Sequence, residues 1–165
     1  LIGLGHRRIG MVVGIPGLAT SDDRHAGYLG AHQQAGVEVD PRLAIPGFFD
    51  QATSHDAVEQ LLNLPLPPTA IVTVSNMASM GLLFAIRERK IDVPRELSFV
   101  GIDDLEFSAI LNPRPTVVVT PILDMARRAI EMLLQQIAGG EKPTGKWEVW
   151  RPQLIVREST APPRR

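Results

Sequence analysis

Short apolar, β-branched runs alternate with stretches whose apolar residues recur at helical spacing, and this alternation restricts the chain more than any other feature. Residues 8–15 (RIGMVVGI), closed by Pro16-Gly17, read as a buried strand. Residues 21–36 read as a helix, with Ser21 or Asp22 at the N-cap, acids in the first turn and Gly36 as its stop. A second strand over LAIPGFF (43–49) is interrupted by Pro46. A helix over 54–64 follows, with Ser54 as its cap and Pro65, Pro67 and Pro68 closing it. The strand AIVTVS (70–75) runs into a helix over 77–90, whose basic end suits the negative pole of the helix dipole. Strands ELSFVGI (96–102) and TVVVT (116–120) precede a helix over 122–140 with an apolar stripe at Ile122, Met125, Ala126, Ala129, Ile130, Leu133 and Ile137. Residues 147–159 are strand-like, and 160–165 read as a frayed tail.

Repeated strand–helix alternation predicts an α/β fold, a doubly wound parallel sheet with helices on both faces. In open sheets of this kind ligands bind beyond the carboxyl ends of the strands. Four strand exits therefore carry the functional question: residues 14–24, 48–50, 74–77 and 102–105.

The 165 residues suit one medium domain with a substantial core. A net charge of -1 gives no general reason to expect nucleic-acid binding by these residues. The pairs Arg7-Arg8 and Arg127-Arg128 are too short to form a basic face and read as solvated positions. The chain has no cysteine, which excludes disulfides and thiolate metal sites and permits a reducing cytoplasm. No apolar run has the length of a membrane span. The opening LIGLGHRRIG lacks an initiator Met and reads as the end of a helix, so a fragment is the expectation.

Enzymatic readings of these exits are poor. Asp103 and Asp104 are adjacent, so their side chains diverge and do not flank one scissile bond as a glycosidase pair must. A phosphoacceptor aspartate needs companion acids and a lysine at another strand end. The lysines, Lys90, Lys142 and Lys146, lie at a helix end and in a late loop. His25 and His32 are two helical turns apart, too far to share a metal, and the histidines read as ordinary surface or capping residues. GIPG at 14–17 lacks dinucleotide-loop spacing, and no G-x-S-x-G elbow or Walker lysine occurs. No nucleophile is nominated, and no cofactor or metal is called for.

Binding fits better. Arg24 offers a fork of donors, Asp103 acceptors, Ser75 and Asn76 both, and Phe49 a stacking face, which together suit a polyhydroxylated molecule. Each has an ordinary use too: Arg24 in an intrahelical pair, Asp103 as a cap, Phe49 in the core.

The ordered motifs L-x-x-L-G-H-R-R-I (1–9), S-x-x-R-x-x-G-Y (21–28), P-T-A-I-V-T (68–73), M-G-L-L-F-A-I-R-E (80–88), V-P-R-E-L-S-F-V-G-I-D-D (93–104) and L-I-V-R-E-S-T (154–160) carry a resemblance. The chain resembles the effector-binding domain of lac-repressor/galactose-repressor family transcriptional regulators, across residues 1 to about 160. That resemblance implies two similar α/β lobes with an effector between them, and a helix-turn-helix head absent from this chain. Residues 1–121 would form the carboxyl-proximal lobe, 122–146 a crossover helix and strand of the other lobe, 147–160 the return strand and 161–165 a tail. The stripe on 122–137 would then lack its usual partners.

By alignment the resemblance makes Arg24 the effector-hydroxyl arginine and Asp103 the effector-facing acid, while Asp104 reads as the turn-capping one. Phe49 becomes the aromatic against the ligand, and Ser75 and Asn76 the family's polar pair. Ser75 is shorter than the usual Asn, and Ile102 replaces a frequent aromatic. The resemblance further implies a cytoplasmic homodimer using Met80, Leu83, Phe84, Phe107 and Ile110. The effector would be a sugar or a nucleoside or nucleobase, and DNA would be contacted only through the absent head. The competing expectation is a periplasmic-type sugar-binding protein of a transporter, with the same fold and no DNA.

Overall fold

The computed structural model describes residues 1–139, 145 and 147–164. Six strands form one sheet: β1 (Ile9–Val13), β2 (Ala44–Pro46), β3 (Ala70–Thr73), β4 (Ser98–Ile102), β5 (Thr116–Val119) and β6 (Gln153–Ile155). Their order is β2-β1-β3-β4-β5-β6. The first five pair in parallel, and β6 joins β5 antiparallel, with Leu154 opposite Val118. Helix α1 (Ala19–Gln34) connects β1 to β2, α2 (Gln51–Leu62) β2 to β3, and α3 (Asn76–Arg89) β3 to β4. Helix α4 (Ile122–Gly139) follows β5. The α/β doubly wound arrangement is the one that the alternation predicts.

Strand alternation divides the core in two. Val12, Ile71 and Phe99 point to the face covered by α2 and α3, where they meet Val58, Leu61, Leu82 and Ala85. Ile9, Met11, Ala70 and Val74 point to the opposite face and meet Tyr28 of α1. Gly81 lets α2 and α3 come together, since a Cβ there would lie 2.6 Å from the backbone nitrogen of His55. On the α1 face the cover is incomplete. Val72, Val100, Ile102 and Val118 line an open apolar trough of about 810 Å³ between α1 and β6.

Two helix starts differ from the sequence expectation. Helix α1 begins after Leu18, without a side-chain cap, because the turn closed by the Leu18 N–H on the Ile15 carbonyl (3.2 Å) already leads into it. Ser21 is instead fully buried in the first turn, and Asp22 accepts from the Gly17 N–H at 3.2 Å. Helix α2 is capped by Asp50, whose carboxylate accepts from the Thr53 N–H at 3.0 Å. Ser54 lies buried inside that helix and donates to the Gly47 carbonyl at 3.1 Å. Gly36 ends α1 as expected, with φ 63°. His6 and His32 are buried rather than superficial. Of the strand-like stretch at 147–159, only Gln153–Ile155 pairs.

Helix α4 buries none of its residues, and Ile122, Ile130, Leu133 and Ile137 are exposed, as the unpartnered stripe predicts. The strand expected within 122–146 after this helix falls largely on 140–144 and 146, which lie outside the described residues. Among the described residues no helix is long and apolar enough to cross a membrane.

Candidate functional site

The carboxyl ends of β2, β1, β3 and β4 lie side by side on one edge of the sheet, and all five residues singled out as ligand-binding stand there. The strand order reverses between β1 and β3, since β1 leads outward to β2 while β3 leads the other way. Arg24 spans this reversal. It projects from the second turn of α1, and its Nη1 donates to the Val74 carbonyl at 2.6 Å. It makes this tertiary bond rather than an intrahelical pair. Val74 immediately precedes Ser75, whose Oγ caps α3 by accepting from the Ala78 N–H at 3.1 Å. Asn76 opens the helix with an exposed side chain. The Ser75 hydroxyl still has its proton to donate while it caps.

Phe49 reaches the site from beyond β2. Phe48 and Phe49 are both left-handed, at φ 53° and 56°, a conformation costing roughly 1–2 kcal/mol per non-glycine residue. The chain accepts this because the Gly47 carbonyl gathers the hydroxyls of Thr53 (2.6 Å) and Ser54, while the Gly47 N–H donates to Val13 at 2.7 Å. The turn lays the Phe49 ring across Gly14 at the end of β1, where any Cβ would sit 2.2 Å from a ring carbon. Gly14 is thus required by the ring. The half-buried Phe49 also packs on the α1-side core, so it serves the core and presents a ring at the edge together.

Asp103 follows β4 with φ 68°, and its N–H donates to the Val118 carbonyl at 2.8 Å. Its half-buried carboxylate has no hydrogen-bond partner among the described residues. Asp104 behaves differently from its neighbour: besides the turn contacts expected of it, with the Leu105 N–H and the Ser108 hydroxyl beside its carboxylate, it takes an ion pair. Both its oxygens accept from Arg157, at 3.0 and 2.5 Å. The guanidinium holds the Asp104 carboxyl below the usual range, against the opposing effect of burial. From β2 to β4 the strand exits span three intervals of about 4.8 Å, roughly 14 Å, and the lean of Phe49 over β1 shortens that gap. This suits a small polyhydroxylated or heterocyclic molecule. Among the described residues no group of three His, Asp or Glu is placed to hold a metal ion.

Residues 1–160 match the family described as periplasmic binding protein-like domain. The chain belongs to that family. The domain is 32% identical over 156 residues to the HTH-type transcriptional repressor CytR of Escherichia coli K12, covering 94% of this chain and 46% of CytR. It thus spans about half the length of that curated relative. A LacI family transcriptional regulator from Mycobacterium smegmatis superposes with a TM-score of 0.85 at 30% identity, covering 99% of this chain and 61% of the other. The transcriptional regulator CelR, solved as a cellobiose complex, superposes with a TM-score of 0.86 at 30% identity, covering 96% of this chain and 48% of CelR. All three of these relatives are transcriptional regulators.

The residues expected at a subunit contact lie on α3 and in the loop between β4 and β5 of this periplasmic-binding-protein-like domain. Phe84 of α3, Phe107 and Ile110 are exposed, Ile110 at 84%, whereas Met80 and Leu83 are half-buried. Sequence reasoning assigned no role to Arg157. Its signal was present: one cation follows the apolar run Leu154–Val156 within a motif already recognised.

Proposed function

We propose that this domain is the effector-binding and dimerising part of a bacterial transcriptional regulator. One observation carries the reading. A tethered arginine, an unpaired acid in a left-handed turn and an aromatic ring laid over a glycine meet along one sheet edge, at the reversal of strand order. Arg24 and Asp103 would hold the hydroxyls of a small effector, Phe49 would pack on its apolar face, and Ser75 and Asn76 would complete the polar wall. A sugar is the favoured class, supported by the cellobiose held by CelR; a nucleoside or nucleobase is the second.

Residues 1–121 act as one lobe, with 122–146 belonging to the other lobe and 147–160 returning. An effector seated between lobes favours the arrangement that it binds better, and a difference of about 1–3 kcal/mol suffices for regulation. DNA would be contacted by a helix-turn-helix head outside these residues. The test is a thermal-shift screen of the full-length protein against sugars and purines. Asp103→Asn should then weaken the selected ligand about tenfold or more, the size expected for losing a hydrogen bond to a charged group; unchanged affinity would remove Asp103 from the site. Two subunits would meet through Phe84, Met80, Leu83, Phe107 and Ile110. Phe84→Glu should shift light-scattering mass toward the monomer, and an unaltered mass would reassign this surface.

A further inference from the structure

Arg157 stands where the returning chain passes the effector edge, and its contacts exceed those of a surface ion pair. Its side chain is 11% exposed. Besides gripping Asp104, its Nη1 donates to the Ser108 hydroxyl at 3.3 Å and to the Pro115 carbonyl at 3.2 Å. Its own backbone N–H donates to Thr116 Oγ1 at 2.9 Å, fixing it to the start of β5. One guanidinium therefore binds the loop after β4, the turn before β5 and the returning strand together. A planar fork with two parallel bonds to one carboxylate holds orientation as well as distance.

Asp103 immediately precedes the gripped Asp104, and its left-handed backbone needs support from outside. That support comes from two sides. Asp103 N–H is held by the Val118 carbonyl of β5, the strand that leads into α4, and Asp104 is held by Arg157, which follows β6. Both chain segments that join the sheet to residues 122–152 thus bear on the backbone of one carboxylate.

We infer that Arg157 is a positioning residue for the effector: through Asp104 it sets the direction of the Asp103 carboxylate, and it couples the effector contact to the returning segment. This rests on the reading of Asp103 as the effector acid. A displacement of the return strand would be felt at Asp103, and effector bound to Asp103 would in turn stabilise one position of that strand.

The experiment is a mutant cycle in the full-length protein, with affinities for D-ribose, D-galactose, cellobiose, cytidine and adenine measured by calorimetry. Amide hydrogen exchange is followed at residues 103–105 and, as a control, in β1 and β3. Arg157→Lys keeps the charge and loses the fork, so it guards against wholesale loss of folding. Arg157→Lys should weaken the bound probe about tenfold, speed exchange at 103–105 and leave β1 and β3 unchanged. In an Asp103→Asn or Asp104→Asn background the same substitution should add less than about twofold, which a merely stabilising role would not produce. Equal losses in all backgrounds, or unchanged affinity in Arg157→Lys, overturn the inference. If Asp103→Asn itself leaves affinity intact, or if the wild type binds none of the probes, the effector reading fails first. Those results are distinct from a failure of Arg157 alone.

Discussion

Adjacent aspartates with opposite fates show how much the fold decides at the scale of a residue. Asp103 has no partner for its carboxylate among the described residues, whereas Asp104 turns to Arg157 across 53 residues of sequence. The strand ending at Ile102 announces that an acid stands at an exit, but the partner of the second acid depends on where the return strand lies. Helix caps were misread for a similar reason. Ser54 and Ser21 have the right chemistry for N-caps, yet the chain enters each helix earlier, and both serines are buried. Gly81 was also silent, since nothing local reveals that another helix backbone lies against it. Gly81→Ala should destabilise the domain by about 1–3 kcal/mol, the usual penalty for overpacking a tight core. A urea midpoint unchanged from wild type would show that α2 and α3 separate freely.

At the scale of elements, periodicity exposed nearly everything that is buried on both faces. Strands β1, β3, β4 and β5 and all four helices follow from apolar spacing and Gly or Pro punctuation. Strand β6 was less legible, because an antiparallel edge of three exposed residues buries too little to leave a pattern. Helix α4 shows the reverse case, a strong apolar stripe that no part of the described chain covers. The 165-residue chain should accordingly enhance the fluorescence of a hydrophobic dye. Replacing Ile130 and Leu133 together by Ser should lower that signal while changing stability by less than about 0.5 kcal/mol, as for exposed positions elsewhere. A dye signal that ignores both substitutions would place the apolar surface elsewhere, in the trough beside α1.

At the scale of the whole molecule, distant segments are tied by a few buried polar groups. His6 is 1% exposed and joins Thr69 Oγ1 through Nδ1 and the Ala161 carbonyl through Nε2, both at 2.8 Å. In the neutral ring Nε2 donates to the carbonyl and Nδ1 accepts from the threonine hydroxyl. Burial lowers its pKa below the ordinary 6.5, and the unfolded chain therefore binds the extra proton first. Its contribution to stability is complete above about pH 6.5 and is lost as pH falls through the lowered value. His55 works in the opposite direction, its pKa raised by Glu88, but that pair lies at the surface and is screened. Urea midpoints should fall between pH 7 and 5 in wild type, and less so in His6→Gln. Parallel curves would assign the loss to other groups.

Both margins of the sheet are short, and this bears on how the protein keeps its identity in a crowded solution. Strand β2 is three residues long and ends in Pro46, which has no N–H to offer an incoming strand. Strand β6 at the far margin is equally brief. A foreign polypeptide seeking a template would find too few free donors and acceptors to zip onto either side. Contacts between molecules are thereby directed to side-chain surfaces, where shape and charge select the companion, and away from open-ended backbone pairing of the kind that seeds fibrils.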